Sequence, residues 1–178
     1  MQIILPLFRF QTTLMCLLLL TISAPCCKHK PAATESGVLE IGLICSDLPQ
    51  SLDFYKNIVG MKEIGGFEVE GDFSADIGLS NGKAFNVRRL KLVDSPCATI
   101  LKLACCSDST TTRTAHASVL PGVRYLTFEV ASTQIIKENL QRRGIPLLGK
   151  TPVDMGDGTE LLMCQDPDGV FVEIVGGK

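Results

Sequence analysis

The pattern of apolar and polar residues predicts the same succession of elements twice along the chain. Residues 38–60 begin with an alternating, strand-like segment, after which apolar residues recur at helical spacing until Gly60. Residues 123–144 repeat this order and end at Gly144. Each copy is therefore predicted to contain a β-strand followed by an amphipathic helix.

Three strand-like segments follow each predicted helix. In the first copy they are GFEVEGDFSADIGL (66–79), AFNVRRLKLV and ATILKLAC, with Asn81-Gly82 as a hairpin turn. In the second copy they are LLGKTPVDM, GTELLMCQ and GVFVEIV, with turns at Asp157-Gly158 and Asp168-Gly169. The pattern predicts an α+β fold of two βαβββ modules, residues 37–106 and 122–176, joined by a polar linker over 107–121. Two such sheets facing each other would enclose a cleft.

The first 27 residues differ from the rest of the chain. They contain one basic residue, Arg9, no acid, and the apolar run LMCLLLLTI from Leu14 to Ile22. This composition is typical of a signal peptide or a lipoprotein-type export segment, and an uncleaved N-terminal anchor is the alternative. Residues 28–36 are predicted to be a flexible tether and 37–178 the folded domain. We therefore expect an exported protein, which is periplasmic, membrane-anchored or secreted.

Charge and cysteine content add two constraints. The formal net charge is −2, which gives no electrostatic reason to expect a nucleic-acid partner. Of the eight cysteines, five lie beyond the export segment and show no metal-ligand spacing. Cys45 is interpreted as a small core residue. A disulfide between Cys97 and either Cys105 or Cys106 is left open.

Two motifs together connect the chain with a known family. SDLPQSLDFYKNIVGMKEIG follows the first strand, and DPDGVFVEIV (166–175) carries the last strand of the second module. In this order around paired βαβββ modules, they resemble the glyoxalase, bleomycin-resistance and ring-cleaving dioxygenase superfamily, which has the vicinal oxygen chelate (VOC) fold. The resemblance covers roughly residues 37–176. It implies paired sheets around a cleft that binds a small molecule.

The resemblance and the repeat together select five side chains for the predicted cleft. Pseudo-symmetry pairs Glu40 with Tyr125 and Lys102 with Glu173, and Phe171 forms part of the wall. In metal-dependent members of the family, the four paired positions commonly carry His or Gln, then Glu, His and Glu. This sequence matches that pattern only at Glu173.

The departures from the family pattern disfavour a metal cofactor. The chain has only two histidines, His29 in the tether and His116 in the linker, so the cleft lacks the ligands of a ring-cleaving dioxygenase. Lys102 cannot bind a metal while it is charged, and a divalent ion, if bound, would use Glu40 and Glu173. We expect instead an ion pair of Lys102 with Glu173 or Glu40, with the Tyr125 hydroxyl as a further partner.

Three functions remain open from the sequence. The first is a lactoylglutathione-lyase-type isomerase or lyase, or a degenerate relative, with Glu173 as acid-base residue and Lys102 gripping the substrate. The second is a non-catalytic binder of small molecules that uses Glu40, Tyr125 and Phe171. The third is an interaction module with a vestigial cleft. The sequence allows a homodimer and predicts membrane association only through the N-terminus. Arg88, Arg89 and Lys91 could meet an anionic ligand at the mouth of the cleft, but a strand whose polar side faces water is the commoner explanation.

Overall fold

The computed structural model describes residues 37–106, 111 and 113–178. The first module contains β1 (Glu40–Cys45), α1 (Leu48–Asp53) with a π-helical continuation (Phe54–Ile58), β2 (Lys62–Val69), α2 (Gly71–Asp76), β3 (Phe85–Lys91) and β4 (Ile100–Cys105). The second contains β5 (Tyr125–Ser132), α3 (Gln134–Arg142), β6 (Val153–Asp154), β7 (Thr159–Gln165) and β8 (Phe171–Gly177). The predicted export segment and tether lie outside the described residues.

The strands form two four-stranded mixed sheets with equivalent topology. Sheet A has the order β1-β4-β3-β2, and sheet B has the order β5-β8-β7-β6. The first strand of each module is parallel to the last, and the other neighbours are antiparallel. This topology confirms the predicted α+β class and the two βαβββ modules.

The connection between β2 and β3 differs from the prediction. The strand predicted over residues 66–79 ends at Val69, and helix α2 follows it. The buried Ser74 hydroxyl explains the compact turn, because its single proton lies between two acceptors, the carbonyl oxygens of Gly71 at 2.8 Å and Lys83 at 2.9 Å. Asn81-Gly82 therefore belongs to a longer helical connection, and the predicted tight hairpin is wrong.

Each sheet has a helix face, which packs on its own helix, and an opposite open face. On the helix face of sheet A lie Cys45, Leu101 and Leu103, all buried. On that of sheet B lie Leu126, Phe128, Leu162, Cys164, Val172 and Ile174. These residues form one core cluster that spans both modules. The hydrophobic effect therefore joins the modules through their helix sides.

The turn that carries the Asp-Pro-Asp-Gly sequence fastens the second module to the first. Asp168 accepts hydrogen bonds from the Ser46 amide at 3.0 Å, the Ser46 hydroxyl at 2.6 Å and the Ser51 hydroxyl at 3.2 Å. Asp166 accepts one from the buried Tyr55 hydroxyl at 2.9 Å. We call these four bonds the inter-module lock. They satisfy polar groups that the packed junction would otherwise leave without partners.

The protonation states within the lock follow from burial. Burial raises the pKa of Asp166, and hydrogen bonds from the Val170 amide and the Tyr55 hydroxyl oppose that rise. Burial also raises the pKa of Tyr55 well above its usual value, and the neighbouring Asp166 carboxylate adds to the effect. Tyr55 therefore keeps its proton at physiological pH and acts as the donor.

The described residues also bear on membrane topology. Within these parts of the chain, no helix is long and apolar enough to cross a bilayer.

Removal of the Asp166 carboxylate tests the lock. Asp166→Ala should lower the free energy of unfolding by about 2–4 kcal/mol, because it leaves Tyr55 and two backbone amides without their acceptor. Urea unfolding followed by circular dichroism measures this loss. Asp157→Ala is the matched control, because Asp157 accepts its hydrogen bonds locally, from the amide and hydroxyl of Thr159 in the same turn. An equal loss in both variants would contradict an inter-module role for Asp166.

Candidate ligand-binding site

Strand register determines which side chains share the open face of sheet A. Lys102 lies opposite Gly42 on one side and Arg89 on the other. Directly paired residues point to the same side of a sheet, so these positions share a face with Glu40 and Ile44, which alternate with Gly42 along β1. The face is thus charged at its centre and apolar around it.

A three-residue charge cluster occupies the centre of that face. Glu40 is ion-paired with Lys102, and it accepts a second hydrogen bond from Arg89 at 2.9 Å. The hydrogen bond from Lys102 lowers the pKa of Glu40, and the bond from Arg89 adds to the effect, so Glu40 is ionised. About a third of each side chain is exposed, so solvent screens the pairs and limits their contribution to stability. The two cations and one carboxylate leave one uncompensated positive charge.

Gly42 leaves room above the charge cluster. A Cβ atom built at Gly42 meets no other atom within 4 Å, and the backbone there is not in the left-handed region. A glycine in the middle of a strand often marks a place where another group approaches closely. The gap lies beside Lys102, so a bound group would reach its ammonium directly.

The open face of sheet B has the opposite charge. Thr127 is paired with Glu173, and Glu129 with Val175. Strands β5, β7 and β8, all of them described, place no lysine or arginine on this face. Glu173 accepts a hydrogen bond from the Thr127 hydroxyl at 2.8 Å, and this acid remains partly exposed.

The predicted cleft residues lie on two different sheets of one chain. Of the two alternative ion pairs expected for Lys102, the structure contains that with Glu40, and no salt bridge joins Lys102 to Glu173 among the described residues. The Tyr125 side chain is 56% exposed, and Phe171 is buried. The modules pack through their helix faces, so Glu40 and Lys102 lie on the open face of sheet A. Tyr125 and Glu173 lie on the open face of sheet B, and the convergence of the four side chains stays a prediction.

Arg89 is a site residue to which the sequence gave little weight. Its neighbour Arg88 points to the other side of sheet A and lies 3.6 Å from Glu63. The strand pattern alone shows that the two arginines face opposite ways, but only the register places Arg89 beside Lys102. No pattern within one strand could have selected it, because Lys102 lies on β4 and Arg89 on β3.

A separate cavity lies on the helix side. Its volume is about 340 Å³, and it is bounded by α1, the loop after α3 and the β7–β8 turn. Both of its arginines are engaged, Arg143 with Asp53 and Arg113 with the carbonyl oxygens of Asp166 and Pro167. The open faces, with their uncompensated charge, are therefore the stronger candidate site.

The described residues do not fit a divalent metal ion. No group of three or more His, Cys, Asp or Glu residues in this part of the chain is placed to hold one. The four positions inferred from the family carry the side chains of Glu40, Lys102, Tyr125 and Glu173. The Lys102 ammonium is already ion-paired with the Glu40 carboxylate. A positive side chain at this position competes with a cation for the same carboxylate.

Comparison with known proteins gives the family. The model of the Glyoxalase/Bleomycin resistance protein/Dioxygenase superfamily matches residues 37–174, nearly the whole of the described domain. The chain belongs to this superfamily. No curated protein matches its sequence.

Solved structures agree in fold. A glyoxalase family protein from Bacillus cereus has 18% identity and a TM-score of 0.65, with 85% of this chain and 98% of that one covered. A glyoxylase/bleomycin resistance protein/dioxygenase domain from Frankia sp. has 20% identity and a TM-score of 0.58 over 82% and 94%. The trypanothione-dependent glyoxalase I of Leishmania major has 17% identity and a TM-score of 0.56 over 78% and 85%. These likenesses show the VOC fold.

Metal titration tests the fit of the donor set. We expect calorimetry with zinc, nickel and manganese to show no binding that depends on Glu40 or Glu173, since Lys102 occupies the Glu40 carboxylate. Lys102→Glu should create such binding, because it replaces the cation with a second carboxylate beside Glu40.

The controls are Glu40→Gln and Glu173→Gln, which separate this site from ligands elsewhere in the chain. Tight one-to-one binding by the wild type that either control abolishes would contradict the assignment.

Proposed function

We propose that this protein binds a small molecule with an anionic group and an apolar body, without a metal, on the open face of sheet A. The observation that carries the proposal is the charge cluster, in which Arg89 and Lys102 share one carboxylate, Glu40. A bound carboxylate would take up the remaining positive charge. Hydrogen bonds between charged partners are the strong ones, so this charge would fix the orientation of the ligand.

The surroundings of the cluster favour an apolar ligand body. Ile44 and Phe67 are 48% and 47% exposed on the open face, and Val87, on the inner strand β3, is buried between Phe67 and Ala104. Exposed apolar side chains grouped around a few polar ones are typical of ligand sites. The gap at Gly42 gives the ligand access to the centre of the face.

We also infer that a second copy of the chain completes the site. The open face of sheet A carries the excess positive charge, and that of sheet B carries Glu129 and Glu173. Both faces expose large apolar residues, including Ile44 and Tyr125, which a partner surface would cover. In such a homodimer, sheet A of one copy would lie over sheet B of the other, and Glu173 would lie in the same cleft as Lys102.

Glyoxalase-type catalysis is the second candidate function. The observation that favours it is Glu173, which the fold places on an open face and which the Thr127 hydroxyl orients. As a base, Glu173 would remove a proton from a carbon next to a carbonyl group, and Lys102 would stabilise the oxyanion that forms. Turnover of the hemithioacetal of methylglyoxal and glutathione, lost in Glu173→Gln, would favour this function over simple binding.

Ligand titration tests the binding proposal. We expect 3-phenylpropionate to bind and its uncharged amide to bind at least about tenfold more weakly, because the amide lacks the charge that Arg89 and Lys102 attract. Arg89→Met should weaken binding of the acid by a similar factor, and Gly42→Leu should abolish it by filling the gap. Calorimetry and ligand-observed NMR provide the measurement.

Arg88→Met is the matched control, because Arg88 is adjacent in sequence but lies on the other side of the sheet. If Arg88→Met and Arg89→Met weaken binding equally, or if the amide binds as well as the acid, the proposed site is wrong.

A charge exchange tests the dimer. Lys102→Glu and Glu173→Lys should each raise the dimer dissociation constant by about tenfold, roughly 1.4 kcal/mol, because each places like charges across the cleft. The double variant should recover most of the affinity by restoring the opposite charges. Sedimentation equilibrium at low ionic strength measures all four proteins. A wild-type protein that stays monomeric, or a double variant weaker than both single ones, would overturn the arrangement.

A further inference from the structure

Two cysteines end neighbouring strands of sheet A at the same register. Cys45 is the last residue of β1, Cys105 is the last residue of β4, and the two are directly paired. Neighbouring strands lie about 4.8 Å apart. This spacing falls within the range of roughly 4.4–6.8 Å between the Cα atoms of disulfide-bonded cysteines. Both cysteines are free in this structure, and the register places their Cα atoms at a separation compatible with a disulfide.

Their side chains share the helix face of the sheet. Cys45 is 2% exposed, and Cys105 packs against the same core cluster while remaining partly exposed. Burial raises the pKa of the Cys45 thiol to about 12, and the adjacent Cys105 thiol adds to the effect. The Cys105 thiol also donates to the Ser46 carbonyl oxygen at 3.7 Å. The two sulfur atoms are therefore neighbours at the edge of the core.

We propose that Cys45 and Cys105 form a reversible disulfide that clamps β1 to β4 beside the inter-module lock. The position follows from the chain, because Cys45 immediately precedes Ser46, which donates two hydrogen bonds to Asp168. The clamp would hold the end of β1 and thereby fix the donor groups of the lock. It would also close a loop that contains α1, β2, α2 and β3.

The chemistry requires a low-molecular-weight disulfide as oxidant. The more exposed Cys105 attacks it as the thiolate, forms a mixed disulfide and releases one thiol. The Cys45 sulfur then attacks the Cys105 sulfur, the second small thiol leaves, and it takes up the Cys45 proton. In total, the two protein thiols lose two electrons, and the oxidant is reduced to two thiols. The proposed export of the chain would supply an oxidising compartment, where such bonds persist.

Cys106 and Cys164 are less well placed to bond with Cys105. Cys106 follows Cys105 directly and packs with the cluster on the opposite side of the sheet, with Phe85 and Val87. Cys164 is fully buried in sheet B. Cys97 lies in the connection between β3 and β4, outside the strands, whereas the register pairs Cys105 directly with Cys45. We therefore choose Cys45 as the partner of Cys105 over the Cys97 pairing that the sequence left open.

Oxidation of the folded full-length protein tests the proposal. After incubation with oxidised glutathione, free thiols are alkylated in denaturant, and the digest is analysed by mass spectrometry. We expect a peptide in which Cys45 is linked to Cys105 and a rise in Tm of roughly 5 °C or more, since a disulfide across this long loop restricts the unfolded chain. Dithiothreitol should reverse both changes.

Cys105→Ser should remove the linked peptide and the rise in Tm, because serine keeps the hydrogen bond to Ser46 but cannot be oxidised. Cys106→Ser is the matched control and should retain both. The proposal is overturned if glutathione stays attached to Cys105, if Cys97 or Cys106 is the main partner, or if the linked protein has an unchanged Tm.

Discussion

The inter-module lock decides what the rest of this molecule presents to solvent. Asp166 and Asp168, two residues apart in one turn, bind Tyr55, Ser46 and Ser51 of the other module. These bonds lie at the junction of the two helix faces, where Tyr55 also contacts the Phe128 ring at a centroid distance of 6.3 Å. A buried carboxylate without such partners would be costly, so the junction is specific as well as apolar. Because the helix faces of the two modules pack against each other, both open faces point away from this junction.

That packing explains why the charged residues separate into two sets. Glu40, Arg89 and Lys102 neutralise one another only in part on sheet A, and Glu173 relies on the Thr127 hydroxyl on sheet B. Neither set of charged side chains is fully buried in one chain. The desolvation penalty is therefore smaller than it would be for the same charges in a closed cleft. Closing the site against a second copy would join the excess positive charge to the excess negative charge, which offsets that cost.

The sequence predicted the fold well because each strand and helix has a strong local pattern. The repeat fixed the two modules, and the alternation of residues assigned Ile41, Leu43 and Cys45 to the helix face. Sequence-based prediction failed for the features that depend on tertiary contacts. Helix α2 depends on Ser74 hydrogen bonds that no periodicity reveals, and the position of Arg89 depends on strand register. The relative placement of the modules depends on Tyr55 and Asp166, which are 111 residues apart. Pseudo-symmetry shows which positions of the two modules are equivalent. It does not show whether the sheet that faces sheet A belongs to the same chain or to a second copy.

The segment DPDGVFVEIV therefore combines two separable roles. Its acids at 166 and 168 face the helix side and hold the modules together, whereas Glu173 points to the open face and is free to meet a ligand or a partner chain. Alternation along β8 enforces this division, because Val172 and Ile174 on either side of Glu173 are both fully buried in the core. Glu173 cannot turn inward without placing its charge among them. Because Val172 and Ile174 of β8 are buried in the core, Glu173, the one acid of this strand, lies on the open face.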